Sequence, residues 1–212
     1  MASVGAYWCP NCGCDSGRVL IWRANSHASW GGTLIGLQAI YENMGLTVHT
    51  HSNWSGTLSD YSLIHFPVAI SDPSWWSQIS GNTWRGRLHM TAENNNAGTF
   101  DTSITYVDGK SGITGMGIFG DTINFLCSHN GTVEADDMTA GVTLIKYSLT
   151  SRVTSGTPLS KASGNTWLAR NKPSGSNIDF IVSGDVNHMD DTCAGVIAAN
   201  TKLLENMFTV PV

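Results

Sequence analysis

The chain has 212 residues, long enough for one domain with a sizeable core and short for two. Only 13% of residues are charged and the net charge is −5 with no basic run, which argues against a nucleic-acid binder and against electrostatic anchoring to a membrane. No apolar stretch approaches the ~20 residues that cross a bilayer. Polarity comes instead from sixty Ser, Thr and Asn side chains, alongside 23 Gly and 8 Trp. The first residues, MASVGAYWCPNCGCDSG, carry neither the basic nor the apolar region of a secretory signal. A composition suited to an exposed protein, a starting Met and no export signal together point to the cytoplasm, or to a virus particle that leaves its host by lysis.

Residues 1–17 form a Cys- and Gly-rich arm with almost no aliphatic periodicity. Residues 18–212 read as one α/β domain. Val19-Leu20-Ile21-Trp22 is a buried strand that ends in the polar loop Asn25-Ser26-His27. Leu34, Leu37, Ile40, Tyr41 and Met44 are spaced as a helix over 31–45, with Gly45 as its C-cap. Leu46 to His51 alternates as a second strand, and Leu63 to Ile70 is a third apolar run. Ser71-Asp72-Pro73 opens a helix through Trp75, Trp76 and Ile79 towards Trp84. Adjacent Trp75 and Trp76 cannot both face the core, so at least one is exposed or covers another element. Arg87 to Ala92 is a fourth strand. Residues 97–175 change texture, with short runs at Met116–Phe119, Val142–Tyr147 and Thr166–Ala169. Hairpins or an antiparallel extension fit this stretch, with a weakly signalled helix near 100–108. Ile178 to Val182 is a further core strand, and 194–208 closes the chain as a helix with Val196, Ile197, Leu203, Leu204 and Met207 on one stripe. Strands alternating with helices imply an open, mostly parallel sheet covered on both faces, with a β-rich insertion over about 97–175.

The sharpest local motif is Cys9-Pro10-Asn11-Cys12-Gly13-Cys14. Such a knuckle directs two thiolates at one metal, and Cys14, Cys127 and His129 are further candidate ligands for a Zn ion or an iron–sulfur cluster. Disulfides, including one to Cys193, and free thiols are the alternatives; five cysteines cannot all pair within one chain. At the expected strand ends, Asn25, His27, Glu93, Asn94, Asp185, Asn187 and His188 are candidate liners of a ligand crevice. Each has a plainer role as a turn residue or as a fastener of loop amides. His49 and His51 alternate out of one strand and are expected to face solvent. No phosphate-loop spacing, G-x-S-x-G elbow or H-E-x-x-H helix is present.

The order VLIWRAN, LIHFPVAI, RLHMTAENN, FIVSGDVNHMDD and NTKLLENMF resembles the class I glutamine amidotransferase-like superfamily, and more nearly its non-amidotransferase, ThuA-like branches. Gly184-Asp185-Val186-Asn187 and Asn200, Leu203, Leu204 and Asn206 carry the likeness, which covers about 18–96 and 176–209. The resemblance implies a flavodoxin-like or amidotransferase-like sheet. It also implies a nucleophilic Cys in the turn after a central strand, but that turn here is Glu93-Asn94-Asn95-Asn96. Glutamine hydrolysis is therefore not expected. The sequence favours a non-enzymatic structural or interaction module that meets other protein subunits, such as those of a bacteriophage particle. The alternative is a protein that binds or processes carbohydrate, with Glu93, Asp185 and His188 among tryptophans.

Overall fold

The computed structural model describes residues 17–23, 33–80, 84–93, 99–110, 117–118, 129–148, 150–193 and 195–212. The strands are β1 (Arg18–Ile21), β2 (Thr47–Thr50), β3 (Leu63–Phe66), β4 (Gly86–Thr91), β5 (Gly117–Ile118), β6 (His129–Gly131), β7 (Ile145–Tyr147), β8 (Ser151–Arg152), β9 (Thr157–Ala162), β10 (Asn165–Asn171) and β11 (Ile178–Ser183). The helices are α1 (Ile35–Asn43), α2 (Trp76–Ser80), α3 (Thr99–Lys110) and α4 (Val196–Thr209).

Seven strands make one sheet in the order β2-β1-β3-β4-β11-β10-β9. The first five are parallel, and β10 and β9 extend them antiparallel. This is the open α/β sheet expected from the alternation of elements, and the antiparallel extension comes from the Gly- and Thr-rich middle of the chain. The β9–β10 hairpin turns at Ser163-Gly164, both at positive φ (46° and 82°), the twist that a two-residue hairpin requires. Two small sheets, β5–β8 and β6–β7, flank the main one.

Alternation along the strands sorts side chains to two faces. Val19, Ile21, Leu63 and Ile181 meet Leu37 and Tyr41 of α1 and Leu203, Leu204 and Met207 of α4. Leu20, Ile64, Phe66, Leu88, Met90 and Val182 meet Trp75, Ile79 of α2, Trp84 and Val107 of α3. Each such side chain contributes about 1.5–3 kcal/mol through burial. Helix α1 ends as expected: Gly45, at φ 80°, donates to the Glu42 carbonyl and Leu46 donates to that of Tyr41. Of the helix expected from Pro73 towards Trp84, the described residues form α2 from Trp76, later than Pro73, to Ser80, and 81–83 lie outside them. Asp72 does not cap it; its carboxylate accepts from the Tyr106 hydroxyl (2.8 Å) and pairs with Lys110, tying α3 to this loop.

The face under α4 also carries charge. Arg87 and Asp179 are register neighbours on β4 and β11, both buried, with an N–O separation of 2.5 Å. Arg170 of β10 completes the pair from the other side (2.8 Å) and reaches Asp136 and Asp137. The remaining Arg87 protons go to the carbonyls of Met207, Val210 and Pro211. One guanidinium thus holds the end of α4 on the sheet.

Candidate functional site

The C-terminal ends of β4 and β11 are adjacent, so their loops bring Glu93 beside the run Gly184–Asp190. Gly184 is required by close approach: a Cβ there would collide with the backbone of Ser151. The next residue, Asp185, is fully buried. One carboxylate oxygen accepts the Ser148 N–H (2.7 Å) and the other the Asn187 N–H (2.8 Å). Burial pushes its pKa up to about 7, against the lowering effect of those two N–H donors, and nearby Asp190 raises it further. Glu93, 2% exposed, accepts the Val186 N–H. Asp190 accepts from the Thr192 backbone and hydroxyl, and Asp191 from Gly36 N and the Thr33 hydroxyl, so Asp191 caps α1 from outside. Asn200 of α4 bridges the carbonyls of Lys146 and His188. These acids and amides fasten backbone.

Beside this loop lies a buried imidazole chain. The Tyr41 hydroxyl donates to the Leu204 carbonyl (2.8 Å), so it accepts from His65 Nε2–H (2.8 Å). Burial drops the His65 pKa to about 3, with a smaller contribution from His188, and a neutral His65 presents a bare Nδ1. That nitrogen takes the Nδ1–H of His89 across the β3–β4 register (2.9 Å). His89 is also held neutral, first by burial and then by its imidazole neighbours, which leaves its Nε2 bare. His188 donates Nδ1–H to the Asp185 carbonyl (2.5 Å), and burial lowers its pKa to about 4, so its Nε2 is bare as well. The rings of His89 and His188 are 5.0 Å apart.

Neither Nε2 has a hydrogen-bond partner. Among the described residues nine buried side-chain N or O atoms lack one, and eight belong to this region: His89, His129, Ser148, Ser151, Ser160, Trp167, Asn187 and His188. Ring contacts join four of them through Tyr147: His129–Tyr147 at 5.3 Å, Tyr147–Trp167 at 5.2 Å, Trp167–His188 at 5.6 Å and His188–His89 at 5.0 Å. Native interiors leave few polar groups unpaired, so their gathering at one place is the site's main chemical feature.

A further feature is Val68, just after β3, at φ 45°. A β-branched residue in the left-handed region is strained by about 1–3 kcal/mol. Its N–H donates to Thr91 Oγ1 (2.8 Å), so the strained turn is pinned to the end of β4.

Of the sequence-predicted residues, Glu93, Asp185, Asn187 and His188 come together, all buried. Asn25, His27, Asn94, Cys9, Cys12, Cys14 and Cys127 lie outside the described residues. His129 stacks on Tyr147, and among the described residues no three His, Cys, Asp or Glu side chains are arranged to hold a metal ion. Cys193 is buried and disulfide-bonded, so the disulfide reading holds for this residue. His49 is only part-exposed and bonds the Tyr61 hydroxyl (2.6 Å), whereas His51 is exposed beside Trp22. The sequence reading missed His65 and His89. Their signal was a lone His inside each apolar run, LIHF and RLHM, at matching strand positions.

No protein-family model matches the chain, and no curated protein matches it either.

Proposed function

We propose that the protein is a non-enzymatic structural or interaction module, a subunit of a larger assembly such as a bacteriophage particle. One observation carries this reading: the strand-end carboxylates that an enzyme of this architecture turns towards substrate are buried here and accept backbone N–H groups. Part-buried aromatic side chains that follow β1 and β2 and stand on α2 support the same reading. Trp22, Trp54 and Trp76 are part-exposed, with Trp22 edge-on to Trp54 (5.6 Å) and Trp76 edge-on to Tyr106 (6.2 Å) under Lys110. Aromatic side chains with one open edge are favoured anchors of interfaces.

Native mass spectrometry tests the reading, with a defined oligomer expected and a monomer at micromolar concentration contradicting it. Spectra with and without chelator also test a Zn ion or iron–sulfur cluster on Cys9, Cys12 and Cys14. The same tryptophans favour a second reading, carbohydrate binding, since their faces also stack on sugar rings. Saturable glycan binding by the monomer, lost in Trp54→Ala or Trp76→Ala, supports that reading over assembly.

A further inference from the structure

The ammonium of Lys110, the last residue of α3, sits in a cage. It pairs with the Asp72 carboxylate (3.0 Å) and lies over two aromatic rings, 5.3 Å from the centre of Trp76 and 5.6 Å from that of Tyr106. Both distances fall within the ~6 Å over which a ring face attracts a cation. The walls of this cage stand without the lysine. The Tyr106 hydroxyl donates to Asp72 (2.8 Å) and orients the carboxylate. The Tyr106 ring meets Phe66 and Trp76 edge-on, each at 6.2 Å, and Trp76 leans on Trp75 at 5.9 Å. Phe66 and Trp75 belong to the core and are at most 1% exposed. The fold thus holds one carboxylate and two ring faces around a single positive charge.

The room for a cation is marked by the ammonium that fills it. The place is at the surface: the Lys110 side chain is 34% exposed and that of Asp72 52%, so the lysine can swing into water and another cation can enter. Exposed ion pairs and exposed cation–π contacts are each weak, so together they favour the closed lysine by only about tenfold. The donor set also fixes the class of ligand. A carboxylate and the electron-rich faces of two rings repel anions, and an uncharged molecule gains nothing from the carboxylate's charge. An ammonium on a short alkyl chain answers to both, as the lysine itself does. The net charge of −5 favours the approach of such a cation.

We propose that Asp72, Trp76 and Tyr106 form a binding site for a small alkylammonium ion, and that Lys110 fills this site as an internal competitor until the ion displaces it. The inference is independent of the assembly reading, which stands or falls on the oligomeric state.

The test follows the indole N–H resonances of the full chain labelled with 15N-tryptophan, with the Trp76 signal assigned from Trp76→Phe. Wild type and Lys110→Ala are titrated with n-butylammonium chloride at constant ionic strength, and with 1-butanol as the uncharged counterpart. Loss of an exposed ion pair leaves Lys110→Ala folded, and the dispersion of the other indole signals checks this. In Lys110→Ala, n-butylammonium should shift the Trp76 indole saturably and 1-butanol should not. The wild type should need about ten times more of the ion to reach the same shift, because the lysine must first be displaced. Asp72→Asn, placed on Lys110→Ala, keeps an acceptor for the Tyr106 hydroxyl but removes the charge, and should weaken binding by about tenfold. A Lys110→Ala variant that shows no saturable shift overturns the proposal. So does an equal response to 1-butanol, or a wild type that binds the ion as tightly as Lys110→Ala.

Discussion

Gly184 and Asp185 show how little freedom single residues have at the end of β11. The Gly184 N–H donates to the Trp167 carbonyl and its own carbonyl accepts from Ser151, so the backbone is fixed on both sides. Gly184→Ala must push a Cβ into the Ser151 backbone. Overpacking of this kind costs about 1–3 kcal/mol and more where backbone must move; urea unfolding should show a lower midpoint with an unchanged slope. His65 is a relay of proton position rather than a base. In His65→Phe the Tyr41 hydroxyl keeps its bond to Leu204, while His89 Nδ1–H loses its acceptor. That variant should lose about 1–3 kcal/mol from the newly unpaired group. Long-range 1H–15N spectra should then show the His89 proton no longer confined to Nδ1.

At the scale of elements, the closing helix is fastened at both ends. Asn206 donates to the Met138 and Ala140 carbonyls and Asn200 to those of Lys146 and His188, so α4 holds residues 138–146 against the main sheet. Asn206→Ala should raise amide hydrogen exchange in 138–146 well before it affects β3 or β4, because those strands keep all their partners. The buried Arg87–Asp179 pair predicts a sharper asymmetry. Asp179→Asn leaves Arg87 and Arg170 facing a neutral group and should cost about 3–5 kcal/mol in chemical unfolding. The strands and helices themselves were largely legible, because apolar period and caps are local signals. The Leu34–Met44 stripe and Gly45 mark α1, and the IDFIV run marks β11. Helix α2 starts later than the Ser71-Asp72-Pro73 run signals, and the Asp72 carboxylate answers instead to Tyr106 and Lys110, which lie more than thirty residues away. The candidate site was legible only in part for the same reason. Asp185 and His188 stand out as polar residues after a core strand, whereas the imidazole chain exists only once β3 and β4 pair in register.

For the whole molecule, pH is the most informative variable. Burial depresses the pKa of His65, His89 and His188 in the folded state. Their contribution is fully present above the unfolded value of about 6.5 and is lost as pH falls towards the folded values. Asp185 acts oppositely: its raised pKa of about 7 favours the folded state most below the unfolded value of about 3.9, and that contribution is lost as pH rises through about 7. Near pH 5, His65 and His188 should together gain about two protons on unfolding and Asp185 release about one, a net uptake of about one proton to which His89 adds in the same direction. Stability should therefore fall with falling pH by at least about 1 kcal/mol per pH unit in that range, as urea titrations between about pH 6 and pH 5 can measure. The acid cluster and the histidines thus belong to the economy of folding before any chemistry.

The most direct measurement of that claim is thermal unfolding of Asp185→Asn at neutral pH. If Asp185 is a structural keystone, the amide must set an N–H donor against the Ser148 or Asn187 N–H. The loss of about 1–3 kcal/mol should lower the Tm by about 3–10 °C in a chain of this size. An unchanged Tm would contradict the account, because a carboxylate that can be replaced without loss is not holding the loop and stands free for chemistry.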